Sequence, residues 1–295
     1  MKPSDTIRMD VRAYGFLDFG AAKAEEVKDE VREAFFRYLS EGRHGNMDYM
    51  ARNVEKRLDP AELVPGAESV LCFLAPYGPA GGGVAGFAQG QDYHRVIKDR
   101  LFAVIGQLKE VFPGFEGRPF TDSAPVLERY WAVRAGLGFI GQNNCFISPE
   151  FGLRVLIGVI VCNIPIGRFE GHAPLRASDC GACGRCLEAC PTGALQAPFT
   201  LDARKCISYN NIESHTPPQE SLDERKGWRF GCEECIRCCP WDKVLTPMPE
   251  FETHRQTIAA QSRSGWSKLS EEEFTRRFAD SGLLRAGLDH LSAGE

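Results

Sequence analysis

A run of four closely spaced cysteines constrains this chain more than any other feature. Residues 180–195 read CGACGRCLEACPTGAL, so the cysteines follow C-x2-C-x2-C-x3-C and a proline follows the fourth. In bacterial ferredoxins this spacing lets three thiolates hold one 4Fe–4S cluster while the fourth serves another. A second set of cysteines lies downstream and ends in Cys239-Pro240. The sequence therefore predicts two 4Fe–4S clusters.

In the arrangement typical of such ferredoxins, each cluster takes three cysteines from one set and its fourth from the other set. We predict cluster I on Cys180, Cys183, Cys186 and Cys239, and cluster II on Cys190, Cys206, Cys232 and Cys235. Cys238 competes with Cys239 as a ligand, and we prefer Cys239 because its proline mirrors Cys190-Pro191. Two zinc sites of four thiolates are the alternative, but zinc sites commonly use two C-x2-C pairs. Three cysteines in apolar stretches are predicted to be core residues: Cys72, Cys145 and Cys162.

The composition limits which cellular compartment and which kinds of binding partner we expect for this chain. No apolar run approaches the roughly 20 residues that span a bilayer, and the charged N-terminus lacks the apolar core of a signal peptide. We therefore expect a cytoplasmic protein without a membrane partner, and we expect it to be a monomer. In a reducing compartment, 12 cysteines suit metal or redox chemistry better than disulfides. The formal net charge of −5 argues against non-specific nucleic-acid binding.

The composition along the chain divides it into three regions. Residues 1–168 alternate helical and strand patterns and predict an α/β (α+β) domain. Residues 169–249 hold nine of the cysteines and little apolar periodicity, which predicts a ferredoxin-like domain organised by its clusters. Residues 250–295 predict a short helical tail, with Ser270 and Glu273 as a capping box. Within the first region the patterns predict helices over 23–42, 92–112 and 125–136, and strands over 70–75 and 154–163.

Two glycine-rich segments invite a nucleotide-binding interpretation that their context does not support. Residues 136–141, GLGFIG, match G-x-G-x-x-G, but a helix precedes them and no acid lies about 20 residues further on. Residues 81–86, GGGVAG, lack the Gly-Lys-Ser/Thr ending of a P-loop. We predict a flexible loop or a close backbone approach to a ligand there.

Seven segments, in this order along the chain, resemble the epoxyqueuosine reductase family: HGNMDYM, RLDPAELVPGAESVLCF, GQDYHRVIKDRL, TDSAPVLERYWAVRAGLGFIGQNN, CGACGRCLEACPTGAL, CISYNNIE and GCEECIRCCPWD. The resemblance covers nearly the whole chain. It implies a cobalamin-binding domain similar to that of reductive dehalogenases, fused to a two-cluster ferredoxin-like domain. The implied activity is the last step of queuosine biosynthesis, in which the epoxide of epoxyqueuosine in tRNA is reduced to an alkene.

The resemblance also implies candidate site residues. Asp122 matches the acid that the family uses as proton donor, and burial against a corrin would raise its pKa. A helix N-cap is the alternative role for Asp122, because an apolar helix follows. Five residues are predicted to contact the cofactor or border its pocket, besides Asp122 itself: Arg57, Tyr93, His94, Gln142 and Ser208. Gln142 replaces the usual lysine of the family, which puts substrate handling there in question.

The substrate is the least constrained part of this interpretation. The chain ends where longer members of the family continue into a helical-repeat domain that helps to hold tRNA, so the remaining surface would have to bind it. Candidate contacts flank the second cluster: Arg204, Lys205, Arg225, Lys226 and Arg229. A cobalamin and Fe–S reductase of a small organic or corrinoid substrate is one alternative. A corrin-free two-cluster electron carrier is another, and the reductase interpretations need an external low-potential electron donor.

Overall fold

The computed structural model describes residues 9–169, 180–262 and 264–294, and its centre is a four-stranded sheet. The sheet has the order β1-β2-β6-β3, and every neighbouring pair of strands is antiparallel. Two short hairpins, β4–β5 and β7–β8, lie outside it. The strands are β1 (Asp18–Lys23), β2 (Ser69–Pro76), β3 (Gly117–Phe120), β4 (Phe139–Ile140), β5 (Phe146–Ile147), β6 (Val155–Cys162), β7 (Leu195–Ala197) and β8 (Thr200–Leu201).

The helices fall into three groups along the chain. The first group accompanies the sheet and consists of α1 (Asp29–Ser40), α2 (Val54–Leu58), α3 (Pro60–Leu63), α4 (Tyr93–Val111) and α5 (Glu128–Arg134). The second lies among the cysteine sets and consists of α6 (Arg185–Ala189), α7 (Ile207–Ile212) and α8 (Glu234–Arg237). The third follows them and consists of α9 (Arg255–Ala259), α10 (Glu271–Arg277) and α11 (Leu288–Ser292). Among the described residues, no helix is long and apolar enough to cross a membrane.

The two faces of the sheet carry separate cores, because side chains alternate along β2, whose residues are all buried. Phe73 points toward α4 and shares a core with Ile97 and Leu101. Leu74 points the other way and shares a core with Phe35 of α1 and Trp131 of α5. Helices on both faces of an antiparallel sheet confirm the predicted α/β (α+β) class.

Most predicted elements of this region are present, and one boundary is wrong. The helix expected from residue 23 begins at Asp29, because Lys23 ends β1 and pairs with Ser69 of β2. The strand β1 was not predicted from the sequence. At the other end of the chain, the Ser270 side chain accepts a hydrogen bond from the Glu273 N–H at 3.2 Å. This contact confirms Ser270 as the N-cap of α10.

The glycine-rich loop at 81–86 packs against the cysteine-rich region. The Gly83 carbonyl accepts hydrogen bonds from the N–H groups of Arg229 at 2.8 Å and Phe230 at 3.2 Å. A Cβ atom on Gly86 would lie 1.9 Å from the Gly78 carbonyl oxygen, so only glycine fits there. The close backbone approach predicted for this loop is therefore made to protein.

The C-terminal helices pack onto the same loop. Val84 shares a buried cluster with Phe230 and with Trp266 and Phe278 from the last part of the chain. Residues 250–294 therefore contact the predicted ferredoxin-like domain and the loop of the first region. The proposed boundaries at 168/169 and 249/250 stay predictions, and residues 170–179 lie outside the described part of the chain.

Candidate active site and cluster-binding region

Asp122 lies on the loop between β3 and α5, in a left-handed backbone conformation with φ of 51°. Its Oδ2 accepts a hydrogen bond from the Tyr93 hydroxyl and lies 3.6 Å from His94 Nε2. Its backbone N–H donates to Glu128 Oε1 at 2.9 Å. Leu127 occupies the N-cap position of α5, so the alternative role of Asp122 as that helix cap is wrong.

His94 is held between two carboxylates at the start of α4. Asp92 caps this helix, and its Oδ1 lies 2.7 Å from His94 Nδ1. Burial lowers the pKa of His94, but the contacts with Asp122 and Asp92 outweigh burial and raise the pKa to about 9. The imidazole is therefore protonated at neutral pH and carries a proton beside Asp122.

The protein groups around Asp122 lower its pKa, whereas the rise expected from burial against a corrin stays a prediction. Desolvation by the surrounding protein raises the pKa, but the contacts with His94 and Tyr93 outweigh it and bring the pKa to about 2. The side chain is 60% exposed, so solvent also favours the carboxylate. The expectation of a raised pKa assumed a carboxyl group covered by a corrin, and it took no account of the charge on His94.

Glu128 is a second titratable group at this site, and sequence reasoning did not find it. Burial, followed by the charge of Asp122, raises the pKa of Glu128 to about 8. The group therefore holds a proton at neutral pH while Oε1 accepts the Asp122 N–H. Its position six residues after Asp122 in TDSAPVLER is the only sequence signal, and it does not reveal burial.

A second set of polar groups borders Asp122 and includes a residue from the last part of the chain. Arg285 lies 2.7 Å from Glu213 Oε1, and Tyr49 donates a hydrogen bond to Glu213 Oε2 at 3.4 Å. The positive charge of Arg285 also contributes to the low pKa of Asp122. Tyr49 is 39% exposed, so the ring faces solvent close to the carboxylate. Sequence reasoning did not connect Arg285 to the site because 163 residues separate it from Asp122 in the numbering.

Arg57, one of the predicted cofactor contacts, is buried. Its Nη2 donates to the Tyr49 carbonyl at 3.2 Å, and its guanidinium lies 5.9 Å from the centre of the Phe35 ring. The Nε atom is buried without a hydrogen-bond partner among the described residues. A buried donor without a partner suits a site that a further group completes.

Gln142 and Ser208 lie next to the cysteines. Gln142 Nε2 donates to the Gly181 carbonyl at 2.8 Å, so its amide holds the loop that follows Cys180. The Ser208 N–H bonds the Cys206 thiol at the start of α7. The predicted contacts of both residues with a corrin stay predictions.

The thiols of the first group surround a cavity of about 140 Å³. It is lined by Cys180, Cys183, Cys186 and Cys239, together with Gln142 and Trp241. Burial raises the pKa of Cys238, and the neighbouring Cys183 thiol adds to that rise, so Cys238 also lies near this group. Four thiols around a cavity suit a cluster with several iron atoms, and the choice of Cys239 over Cys238 stays a prediction.

The thiols of the second group also neighbour one another. Burial raises the pKa of Cys232, and the nearby thiols of Cys206 and Cys190 add to the rise. Burial also raises the pKa of Cys190, but hydrogen bonds from backbone N–H groups, that of Leu195 first, outweigh it and lower the pKa. Such N–H donors stabilise thiolate ligands and tune a cluster's potential.

Cys145 lies beside this second group, where the sequence predicted only a core residue. Its thiol lies close to the thiol of Cys235, and this proximity raises the pKa of Cys235. The neighbouring Asn143 Nδ2 donates to the Cys235 carbonyl at 3.0 Å. The GQNNC segment, residues 141–145, therefore contacts both cysteine groups, through Gln142 and through Asn143 and Cys145.

Comparison with known proteins identifies the family. The family model described as epoxyqueuosine reductase QueG, DUF1730, matches residues 57–123, and the model described as a 4Fe-4S double cluster binding domain matches residues 179–242. The epoxyqueuosine reductase of Cyclobacterium marinum is 35% identical over 96% of this chain and 93% of that protein. The chain belongs to the epoxyqueuosine reductase family. This member binds two 4Fe–4S clusters through its cysteine-rich region.

Solved structures of epoxyqueuosine reductases share the fold. One contains a tRNA-Tyr stem loop modified with epoxyqueuosine, and it matches 96% of this chain and 76% of its own with a TM-score of 0.85 and 26% identity. Another, from Bacillus subtilis, has its catalytic aspartate loop swung out of the active site. It matches 96% of this chain and 77% of its own with a TM-score of 0.84 and 26% identity.

Proposed function

We propose that this chain reduces the epoxide of epoxyqueuosine in tRNA to the alkene of queuosine, using two 4Fe–4S clusters and cobalamin. The observation that carries the proposal is the group formed by Asp122, His94 and Tyr93 in a chain 35% identical to an epoxyqueuosine reductase. In the Bacillus subtilis structure, a catalytic loop named for an aspartate is swung out of the active site. Asp122, exposed on an irregular loop, is our candidate for the corresponding group.

The reaction needs two electrons and two protons, because the epoxide oxygen leaves as water while a carbon–carbon double bond forms. We assign the first proton to the imidazolium of His94, whose Nε2 lies 3.6 Å from Asp122 Oδ2. In this assignment Asp122 passes that proton to the epoxide oxygen as general acid. Tyr93 fixes the carboxylate by donating to Oδ2, and protonated Glu128 holds the loop through the Asp122 N–H.

Unpaired polar atoms in the described part of the first region, including one on Arg57 close to Asp122, fit cobalamin, whose corrin ring carries amide side chains. Buried polar atoms without a hydrogen-bond partner among the described residues include His44 Nδ1, Arg57 Nε and Asn144 Nδ2. Donors of this kind match the carbonyl oxygens of corrin amides. When bound, cobalamin supplies a reduced cobalt centre that acts as a nucleophile or reductant toward the strained ring.

Electrons reach this site from the cysteine-rich region. Tyr209, on the helix that follows Cys206, donates to Asn46 Oδ1 at 2.7 Å and accepts from the Asn46 N–H at 2.6 Å. Cluster II therefore adjoins the segment that leads to Tyr49, whereas Cys183 of cluster I is exposed. We assign cluster I as the entry point for an external low-potential donor and place the protein in the cytoplasm, as a monomer.

Two of the five candidate tRNA contacts expected from the sequence are buried, whereas Lys205 and Lys226 are exposed. Arg225 and Arg229 are buried and donate to the carbonyls of Ala293 and Leu291, so they hold the last part of the chain. Arg204 is half-exposed but pairs with Asp202. Tyr49 and Arg285 instead stand beside Asp122, where an aromatic ring can stack on a base and a guanidinium can bind a phosphate.

The test is anaerobic reconstitution with iron, sulfide and cobalamin, followed by single turnover on a tRNA stem loop that contains epoxyqueuosine. We expect conversion to queuosine, and Asp122→Asn should slow it at least 100-fold, as removal of a general acid does. Asp59→Asn is the matched control, because Asp59 caps α3 and asparagine caps equally well.

Other outcomes point to the two alternatives. Corrin binding without conversion of the stem loop would favour a small organic or corrinoid substrate. Loaded clusters without any corrin binding would favour a two-cluster electron carrier. An Asp122→Asn variant as fast as wild type would exclude Asp122 as the general acid.

A further inference from the structure

A buried arginine joins the sheet to the cysteine-rich region. Arg154 directly precedes β6, and its side chain is 3% exposed. Its Nη1 donates to Glu233 Oε2 at 2.6 Å and its Nη2 donates to Asp242 Oδ2 at 2.9 Å. Its Nε lies 2.8 Å from Asp242 Oδ1, an ion-pair contact without hydrogen-bond geometry. The side chains of Glu233 and Asp242 are 2% and 17% exposed. One guanidinium therefore binds two carboxylates away from solvent.

Each carboxylate belongs to a segment that holds a cluster. Glu233 directly follows Cys232 and immediately precedes α8, which carries Cys235, so it lies between two ligands of cluster II. Asp242 lies three residues after Cys239, and its N–H donates to the Cys239 carbonyl at 2.9 Å. A displacement of either carboxylate would therefore move a ligand of one cluster.

The other side of this contact is fixed to the sheet. The Arg154 carbonyl accepts a hydrogen bond from the Tyr77 N–H at 3.0 Å, directly after β2. Glu233 Oε1 accepts from the Gly86 N–H at 2.6 Å, so the glycine-rich loop binds the same carboxylate. The arginine is anchored by backbone that belongs to the most buried strands of the molecule.

Stability alone does not account for such a group. Desolvating a buried ion pair costs about as much as its attraction returns, and apolar replacements are often equally stable. A geometric role is the better explanation, because a guanidinium binds carboxylates in a fixed planar arrangement. The group also has one positive and two negative charges, and fixed charges near a cluster shift its reduction potential.

We propose that Arg154 is a positioning residue for electron transfer between the two clusters. It holds the Cys232–Cys235 segment and the Cys239 segment at a fixed separation against the sheet, and its charge raises the cluster potentials. In the step concerned, cluster I is oxidised by one electron and cluster II is reduced by one electron. The proposal rests on the two-cluster assignment and is independent of the substrate.

The test is a redox titration of the reconstituted full-length protein, followed by electron paramagnetic resonance, on three variants. Arg154→Gln removes a positive charge and should lower the potential of at least one cluster. Asp242→Asn removes a negative charge and should raise it. We expect each change to alter the one-electron reduction equilibrium at least threefold, ~28 mV at 59 mV per tenfold.

Arg154→Lys separates geometry from charge. Lysine keeps the charge but cannot bind both carboxylates in the planar geometry of arginine. We expect potentials close to wild type together with an altered spin–spin splitting between the two reduced clusters. A splitting identical to wild type would overturn the positioning role.

Two further results test the proposed effect of the Arg154 charge on the reduction potentials of the clusters. If Asp242→Asn retains both clusters at unchanged potentials, or shifts them in the same direction as Arg154→Gln, the proposed effect of charge is wrong. Should Arg154→Gln fail to load its clusters, the Asp242→Asn titration still decides it. Arg100→Gln is the control, because Arg100 pairs with Glu250 and contacts no cluster segment, and it should leave potentials and splitting unchanged.

Discussion

At the scale of single residues, two side chains that hold a proton at neutral pH, His94 and Glu128, flank the ionised carboxylate of Asp122. His94 and Glu128 have pKa values raised to about 9 and about 8, whereas the pKa of Asp122 between them is lowered to about 2. The three values depend on one another, because each charge stabilises or opposes its neighbours. A bound cofactor that covers Asp122 would raise the pKa of this carboxyl group and favour transfer of the proton from His94.

The raised pKa of His94 makes its contribution to stability depend on pH. The folded pKa of about 9 exceeds the unfolded value near 6.5, so the contribution is complete below about pH 6.5 and is lost as pH rises through 9. We expect His94→Gln to lower the melting temperature of the cluster-loaded protein by roughly 2–4 °C at pH 6, for a loss on the order of 1 kcal/mol. The difference should vanish by pH 9.5.

The control for this measurement is His215→Gln, because His215 is exposed. Its melting temperature should follow wild type across the whole range. A His94→Gln difference of the same size at pH 6 and pH 9.5 would show that the residue contributes by packing and not by charge.

The sequence predicted the identity of these groups better than their properties. Asp122, Tyr93 and His94 stand in segments that resemble the family, and the structure brings their side chains together. The low pKa of Asp122 was not predictable, because it depends on His94 and Arg285, which the fold brings from two other parts of the chain. Local sequence reveals which groups are titratable but leaves their neighbours undetermined.

At the scale of elements, the glycine-rich loop determines how the sheet domain meets the cysteine-rich region. Ala85 donates to the Phe230 carbonyl at 2.9 Å, and Gly86 donates to Glu233. The sequence predicted a flexible loop or a close backbone approach to a ligand, and the approach is made to protein backbone. An added Cβ would lie 2.4 Å from the Gly227 carbonyl oxygen at Gly83 and 1.9 Å from the Gly78 carbonyl oxygen at Gly86, and the sequence alone identifies neither atom.

We expect Gly86→Ala to disrupt this contact. The new Cβ would lie 1.9 Å from the Gly78 carbonyl oxygen, so the loop must shift and withdraw the N–H that Glu233 accepts. The iron content after reconstitution should fall, and the melting temperature should drop. Iron and acid-labile sulfide analysis and calorimetry measure the two effects.

Gly106→Ala is the matched control, because no atom lies within 4 Å of the Cβ it would add. Gly106 lies on the exposed side of α4, where alanine favours the helix by about 0.5–1 kcal/mol. This variant should melt at or above the wild-type temperature with full iron content. Equal iron content in both variants would show that the loop does not support the clusters.

At the scale of the whole molecule, the two halves are stabilised differently. The sheet has an extensive core on each face, with β2 buried along its whole length. The region around the cysteines has only small buried clusters, such as the one formed by Ala85, Ile207 and Trp228. Its structure therefore depends more on bound metal than on apolar burial.

We expect removal of the clusters to unfold residues 180–242 locally while the sheet stays intact. After oxidative loss of iron, amides of α6, α7 and α8 should exchange with deuterium within seconds to minutes, whereas those of β2 and β6 keep their protection. Hydrogen exchange followed by mass spectrometry measures this difference. Uniform loss of protection in both regions would show that the clusters stabilise the entire molecule.

The long-range pairing of the central strands sets an order for biogenesis. Ser69 pairs with Cys162, and Pro76 with Val155, so β2 has only β1 as a partner until the chain beyond β6 has left the ribosome. Contacts between residues so distant in sequence form slowly. Arg154 and the glycine-rich loop reach their positions only when this pair has formed. Assembly of the iron–sulfur clusters should therefore follow folding of the sheet during synthesis. In the interval between sheet folding and cluster assembly, the cysteine thiols would be exposed to oxidation by oxygen.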